Sequence, residues 1–288
     1  MEPKVYLDYT QQELDDAYNQ RLWADNAEAV IARYTSDSAA ARAKYPPRSF
    51  RYGPSGDETL DWFATAEAGA PVLIFIHGGA WRSLTKEDSE APAPMIVEAG
   101  AHYVALNFSV IPKVRLPDMA EQCRRAILWV RDNAARLGGD PERIYVSGHS
   151  SGGHLAAVML TTDWTALGAP ADLIKGGLCG SGSYDLEPVM LSARGNYVKL
   201  SADEILALSP IRHVGRVRCP IAVVYGDRET PEFQRHGRTF AAALKEGSQF
   251  PSELVVLEGV NHFEVAETFN RPDGAMGRAA LKLMGLAG

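Results

Sequence analysis

The sequence has no apolar run approaching the roughly 20 residues that a bilayer span needs. Its opening, Met1-Glu2-Pro3-Lys4-Val5, carries no apolar core of the kind a secretion signal has. These two absences lead us to expect a soluble, cytoplasmic protein. Positive charge is also short: 29 Lys and Arg stand against 36 Asp and Glu, a formal net charge of −7. No basic surface is left on which to bind a phosphate backbone, so nucleic acid is excluded as a partner. Cysteine is scarce, and Cys123, Cys179 and Cys219 are odd in number and scattered without C-x-x-C spacing. That excludes a disulfide framework and a zinc site, and no metal is expected. Repeats and low-complexity tracts are missing as well.

What is present is a chain of 288 residues, 46% hydrophobic, enough for one sizeable core and expected to form a single domain over residues 1–288. From about residue 70, apolar β-type runs alternate with helical patterns, the signature of a mostly parallel sheet flanked by helices. The expected strands are 72–76, 103–107, 143–146, 174–178, 221–225 and 254–257, with two antiparallel leading strands between Ser49 and Phe63. Helices are expected over 116–137, 151–160, 231–245 and 274–284. The stretch from Tyr6 to Tyr45 reads as helical, starting at the capping-box pattern Thr10-Gln11-Gln12-Glu13. An insertion near 183–214 breaks the alternation. By analogy, it and the N-terminal helix form a small cap above the carboxyl ends of the strands.

The chemistry is carried by Gly148-His149-Ser150-Ser151-Gly152, which follows the strand ending at Val146 and opens a helix. G-x-S-x-G in this strand-turn-helix setting resembles the nucleophile elbow of the α/β-hydrolase fold, and it makes Ser150 the candidate nucleophile. A second segment, His77-Gly78-Gly79-Ala80-Trp81, follows the strand 72–76 and matches an HGGG-type oxyanion loop. Backbone N–H groups of Gly78, Gly79 or Ala80 are expected to join that of Ser151 in binding an oxyanion. His77 is expected to anchor the loop, and Trp81 to wall the substrate pocket. In this fold the triad partners follow the serine in the order acid, then histidine. His262 lies in a polar loop after the strand 254–257 and is the candidate base, whereas His213 and His236 follow no strand. The strand 221–225 ends in Gly226-Asp227-Arg228-Glu229, with Glu232 shortly after. The G-x-x-D/E spacing selects Glu229 as the acid, with Asp227 as the alternative and more naturally a turn cap.

With these residues the chain resembles the serine-hydrolase type of kynurenine formamidase, a relative of the hormone-sensitive-lipase esterases. The resemblance rests on His77 to Trp81, on Gly148-His149-Ser150 with Gly153-His154-Leu155, on Ser183-Tyr184-Asp185-Leu186-Glu187-Pro188 and on Thr230-Pro231-Glu232-Phe233. It places Glu229 where relatives carry an aspartate one methylene shorter. It implies hydrolysis of an aryl formamide such as N-formyl-kynurenine, or alternatively of short-acyl carboxylic esters, through an acyl-enzyme and without a cofactor. The partners it implies are a small-molecule amide or ester and, at most, a second copy of the chain in a homodimer.

Overall fold

The computed structural model describes residues 2–286. The N-terminal region holds α1 (Gln11–Ala17), a 3₁₀ turn at Gln20–Trp23 and α2 (Ala27–Lys44). Then come β1 (Arg48–Arg51), β2 (Thr59–Phe63), β3 (Ala70–Ile76), α3 (Ala93–Glu98), β4 (His102–Leu106), α4 (Leu116–Ala134), β5 (Gly139–His149), α5 (Ser151–Leu160) and β6 (Ile174–Gly180). The chain continues through the short helices α6 (Glu187–Leu191), α7 (Gly195–Val198) and α8 (Ala202–Ala207) to β7 (Ile221–Gly226) and α9 (Pro231–Gly247). It closes with β8 (Ser252–Leu257), α10 (His262–Glu267) and α11 (Ala275–Met284).

The strands make one sheet in the order β1-β2-β4-β3-β5-β6-β7-β8, with β1/β2 and β2/β4 antiparallel and every later pair parallel. This is the α/β-hydrolase fold. Side chains alternate across each strand, and β3 shows it: Val72, Ile74 and Ile76 pack with Met119, Ile127, Leu155 and Phe240 on one face. Leu73 and Phe75 pack on the other with Ile96, Met276 and Leu281. Helices α4, α5 and α9 therefore cover one face and α3 and α11 the other, so a wholly apolar β3 has no wet side. No helix among the described residues is long and apolar enough to cross a membrane.

The helical stretch expected over Tyr6 to Tyr45 is interrupted. Its start has the expected capping box, Thr10 accepting from Glu13 N–H and the Glu13 carboxylate accepting from Thr10 N–H, but the chain breaks between α1 and α2. Helix α3 was not legible, because Ala91-Pro92-Ala93-Pro94 looks like a breaker; Pro94 lies in the helix's first turn, where no N–H is needed.

Helix α2 is tied to the sheet through a buried cluster of charges. Lys86 donates to Asp61 on β2 at 2.7 Å, Arg42 of α2 pairs with Glu90, and Ser38 accepts from Glu90 N–H at 2.9 Å. Burial, then the neighbouring Asp61, pushes the Glu90 carboxyl up from 4.5 to about 8. A carboxyl whose pKa is raised on folding binds its proton more tightly in the native state. Its contribution to stability is complete below about pH 4.5 and is lost as pH rises through about 8. The Glu90→Gln protein should therefore lose less stability than wild type between pH 5 and pH 9. At pH 9 it should melt higher by at least about 2 °C, while coincident thermal-melt profiles would refute this.

Candidate active site

Every sequence-selected residue except the side chain of Trp81 converges at the carboxyl ends of the strands. Ser150 sits between β5 and α5 with φ 58° and ψ −126°, a strained conformation for a residue with a Cβ. The turn is tight enough to demand its glycines. A Cβ on Gly148 would lie 2.2 Å from the Gly152 carbonyl oxygen, and one on Gly152 would lie 2.0 Å from that of Ile76. Ser150 N–H donates to Gly180 O at 2.8 Å, which fixes the strained residue against β6. The hydroxyl is thereby held at the N-terminus of a ten-residue helix, where positive potential favours a developing anion.

Ser150 Oγ donates to His262 Nε2 at 2.9 Å, and His262 Nδ1 donates to Glu229 Oε2 at 2.7 Å. Glu229 is wholly buried. Its other oxygen accepts from Ser181 Oγ at 2.6 Å and from Gly226 N–H at 2.8 Å. Asp227 faces the other way, its exposed carboxylate accepting from Gly259 N–H at 2.7 Å. Glu232 is spent on Arg235. His236 lies buried in α9, hydrogen-bonded to Tyr18, and His213 bonds the Leu206 carbonyl, so neither approaches Ser150.

The imidazole of His262 is fixed from several sides. His149 Nε2 donates to the His262 carbonyl at 2.8 Å. Burial, and next the His262 charge, hold the His149 pKa well below 6.5, so it is a neutral donor. Phe233 meets the His262 ring edge-on at 4.8 Å. Asn261 caps α10, accepting from Phe263 and Glu264 N–H. The N-terminal region reinforces both loops: Gln20 bonds Thr230, next to Glu229, while Asn26 reaches Asn261 and Glu264.

Gly78 runs hard against Ser150; a Cβ there would lie 3.2 Å from Ser150 Cβ. Among the described residues, the N–H groups of Gly78, Gly79, Ala80 and Ser151 meet no acceptor within the protein, so these donors are available beside Ser150. His77 is buried, contacts Gly78 O through Nδ1 at 2.9 Å and stacks on Phe108 at 4.3 Å. Burial lowers its pKa to about 4.

The assignment of Trp81 to the substrate pocket is corrected. Its side chain is 1% exposed, donates from Nε1 to His154 at 3.3 Å and packs in the core beneath the site. The cause is local. Gly79, Ala80 and Trp81 take φ of 100°, 52° and 61° in succession, and this left-handed turn directs the indole inward. Trp81 contributes through its backbone instead, donating to Ser151 Oγ at 3.2 Å.

The cavity over Ser150 has a volume of about 750 Å³ and is walled by Tyr18, Tyr34, Arg82, Arg194, Tyr197 and Phe263. None of these six was singled out from the sequence, nor was Ser181, which holds the carboxylate of Glu229. For Ser181 a signal existed: a polar residue just past β6, the strand between those that lead to Ser150 and Glu229.

A serine on the turn after β5, a carboxylate after β7 and a histidine after β8 make the chain an α/β-hydrolase, a hydrolytic enzyme. The BD-FAE family model matches residues 60–172. Kynurenine formamidase of Danio rerio is 30% identical over 287 residues, spanning 95% of this chain and 96% of that enzyme. Esterase LipQ of Mycobacterium tuberculosis is 31% identical over 75% of this chain and 57% of its own length. The crystal structure of the carboxylesterase EstE1 from a metagenomic library superposes with a TM-score of 0.75 at 21% identity, over 92% of this chain and 97% of that one. The chain belongs to the kynurenine formamidase family.

Proposed function

We propose that the chain works as a single domain that hydrolyses aryl formamides such as N-formyl-kynurenine, with Ser150 as nucleophile, His262 as general base and Glu229 as the orienting acid. The reading is carried by the unbroken hydrogen-bonded line from Ser150 through His262 to Glu229 at the floor of a cavity walled by aromatic rings. Ser150 Oγ attacks the formyl carbon while His262 Nε2 takes its proton. The oxyanion is held by N–H groups of Ser151 and of Gly78 and Gly79, with Ala80 at hand, each such donor worth about 3 kcal/mol. Collapse expels the arylamine, which takes the proton from His262. Water activated by the same histidine then releases formate and restores Ser150. Glu229 stabilises the imidazolium formed in both halves.

The formamide is the smallest acyl donor, and the loop at Gly78 crowds the serine that receives it. An N-formyl arylamine should exceed its N-acetyl counterpart in kcat/KM by at least about tenfold, the usual cost of one misplaced methyl group. Likeness to an esterase favours a second reading, a general short-acyl carboxylesterase. Equal rates on the two amides, both far below that on p-nitrophenyl acetate, would favour that reading.

A further inference from the structure

Among the described residues, two guanidinium groups in the cavity form no ion pair. Arg194, in the insertion between β6 and β7, donates from Nε and Nη2 to the Tyr18 carbonyl at 3.2 and 2.8 Å. Its Cζ lies 5.6, 5.5 and 5.9 Å from the ring centres of Tyr18, Phe233 and Trp81. Arg82 stands over Tyr197 at 4.8 Å. Both line the same cavity as Ser150 and His262. Among the described residues neither has a carboxylate within ion-pair distance, and neither Arg194 Nη1 nor the Arg82 guanidinium meets a protein acceptor.

The acids that share the cavity wall are already engaged. Asp15 accepts from Ala193 N–H at 2.6 Å and from Gln11, Asp16 accepts from Gln12, Glu267 takes both nitrogens of an Arg33 fork, and Asp88 caps Thr85. A part-buried cation without a partner is costly. Burial lowers the pKa of Arg194, and the charge of Arg82 adds to this. In a chain of net charge −7, two like charges lining the cavity of Ser150 run against the general field. A guanidinium held against aromatic faces with its Nη1 unengaged suits charge-assisted recognition of a carboxylate.

We infer that Arg194 and Arg82 form an anion subsite that takes the carboxylate of the substrate's leaving arylamine, so that the preferred substrates are aryl formamides bearing an amino-acid carboxylate. The inference rests on the formamidase reading for the identity of the scissile bond, and on the two arginines for the rest. N-formyl-kynurenine has such a carboxylate, whereas N-formyl-kynuramine, the same molecule without it, does not.

The test is the ratio of kcat/KM for these two compounds. In wild type the ratio should favour the acid. Arg194→Gln should lower it about thirtyfold, mainly through KM, as expected for loss of charge-assisted hydrogen bonds. Arg194→Lys should recover part of the preference. Arg82→Gln, at an exposed position, should lower the ratio without threatening the fold. An unchanged ratio in both glutamine variants, with turnover of the neutral compound retained, overturns the subsite. If neither formamide is cleaved while p-nitrophenyl acetate is, the formamidase reading falls. The same ratio is then measured on 4-acetoxybenzoate against phenyl acetate, where loss of acid preference in the variants supports the subsite and an unchanged ratio refutes it.

Discussion

Ser150→Ala is expected to lower kcat on formamide and ester alike by about 10⁶, the loss found when the nucleophile of a comparable triad is removed. No neighbouring hydroxyl can replace it. Ser151 Oγ accepts from Trp81 N–H, and Ser83 Oγ donates to Gly79 O, so neither faces His262. The donors around the oxyanion position would remain, and so would binding. Some residual acceleration over water should therefore survive, without an acyl-enzyme. The fold should be undisturbed, because the strain at φ 58° is a backbone property that alanine shares. Labelling by a fluorophosphonate probe should disappear with activity. Turnover at even a hundredth of the wild-type rate, or labelling that persists, would place the nucleophile elsewhere.

The legible part of the site is the part built from short contiguous segments. The glycines around Ser150, the apolar strand before it and the helix after it are all within one stretch, and each is required there for a local reason. The distance from Gly226 to Glu229 is likewise a turn, and Glu229 N–H closes it onto Gly226 O at 3.1 Å. Trp81 shows where local reading stops. Its distance from the nucleophile loop follows from the chain, but its direction depends on three successive residues at positive φ, two of which are not glycine. Side-chain chemistry argues against that conformation, so tertiary contacts must impose it. The cavity walls were hidden for a different reason. Tyr18, Tyr34 and Arg194 come from the N-terminal region and the insertion, remote from the motifs in sequence. Nothing periodic marks their apolar or cationic faces as turned toward Ser150. Their roles depend on Arg33 reaching Glu267, Asn26 reaching Asn261 and Arg194 reaching Tyr18, contacts between segments 176 to 235 residues apart.

Glu229→Gln should cost about 10⁴ in kcat, the loss seen when a triad acid is replaced by its amide, and Asp227→Asn should not. The carboxylate of Glu229 accepts three hydrogen bonds, from Ser181 Oγ and Gly226 N–H on one oxygen and from His262 on the other. An amide can offer only one oxygen. If its nitrogen replaces Oε2, it donates to His262 Nδ1, which must then accept; the proton moves to Nε2, and the base can no longer receive one from Ser150. If the nitrogen replaces Oε1, it faces Gly226 N–H at 2.8 Å, donor against donor, in a fully buried site. Either arrangement also removes the negative charge that stabilises the imidazolium. Glu229→Asp should be impaired as well, since its carboxylate would stop one methylene short of these three donors. Asp227 accepts one exposed hydrogen bond from Gly259 N–H, and loss of such a cap is worth about 1 kcal/mol. Its asparagine variant should retain kcat within about tenfold. Steady-state rates on folded proteins decide between them. A dead Asp227→Asn beside an active Glu229→Gln would transfer the acid to Asp227 and require the loop after β7 to rearrange in the working enzyme.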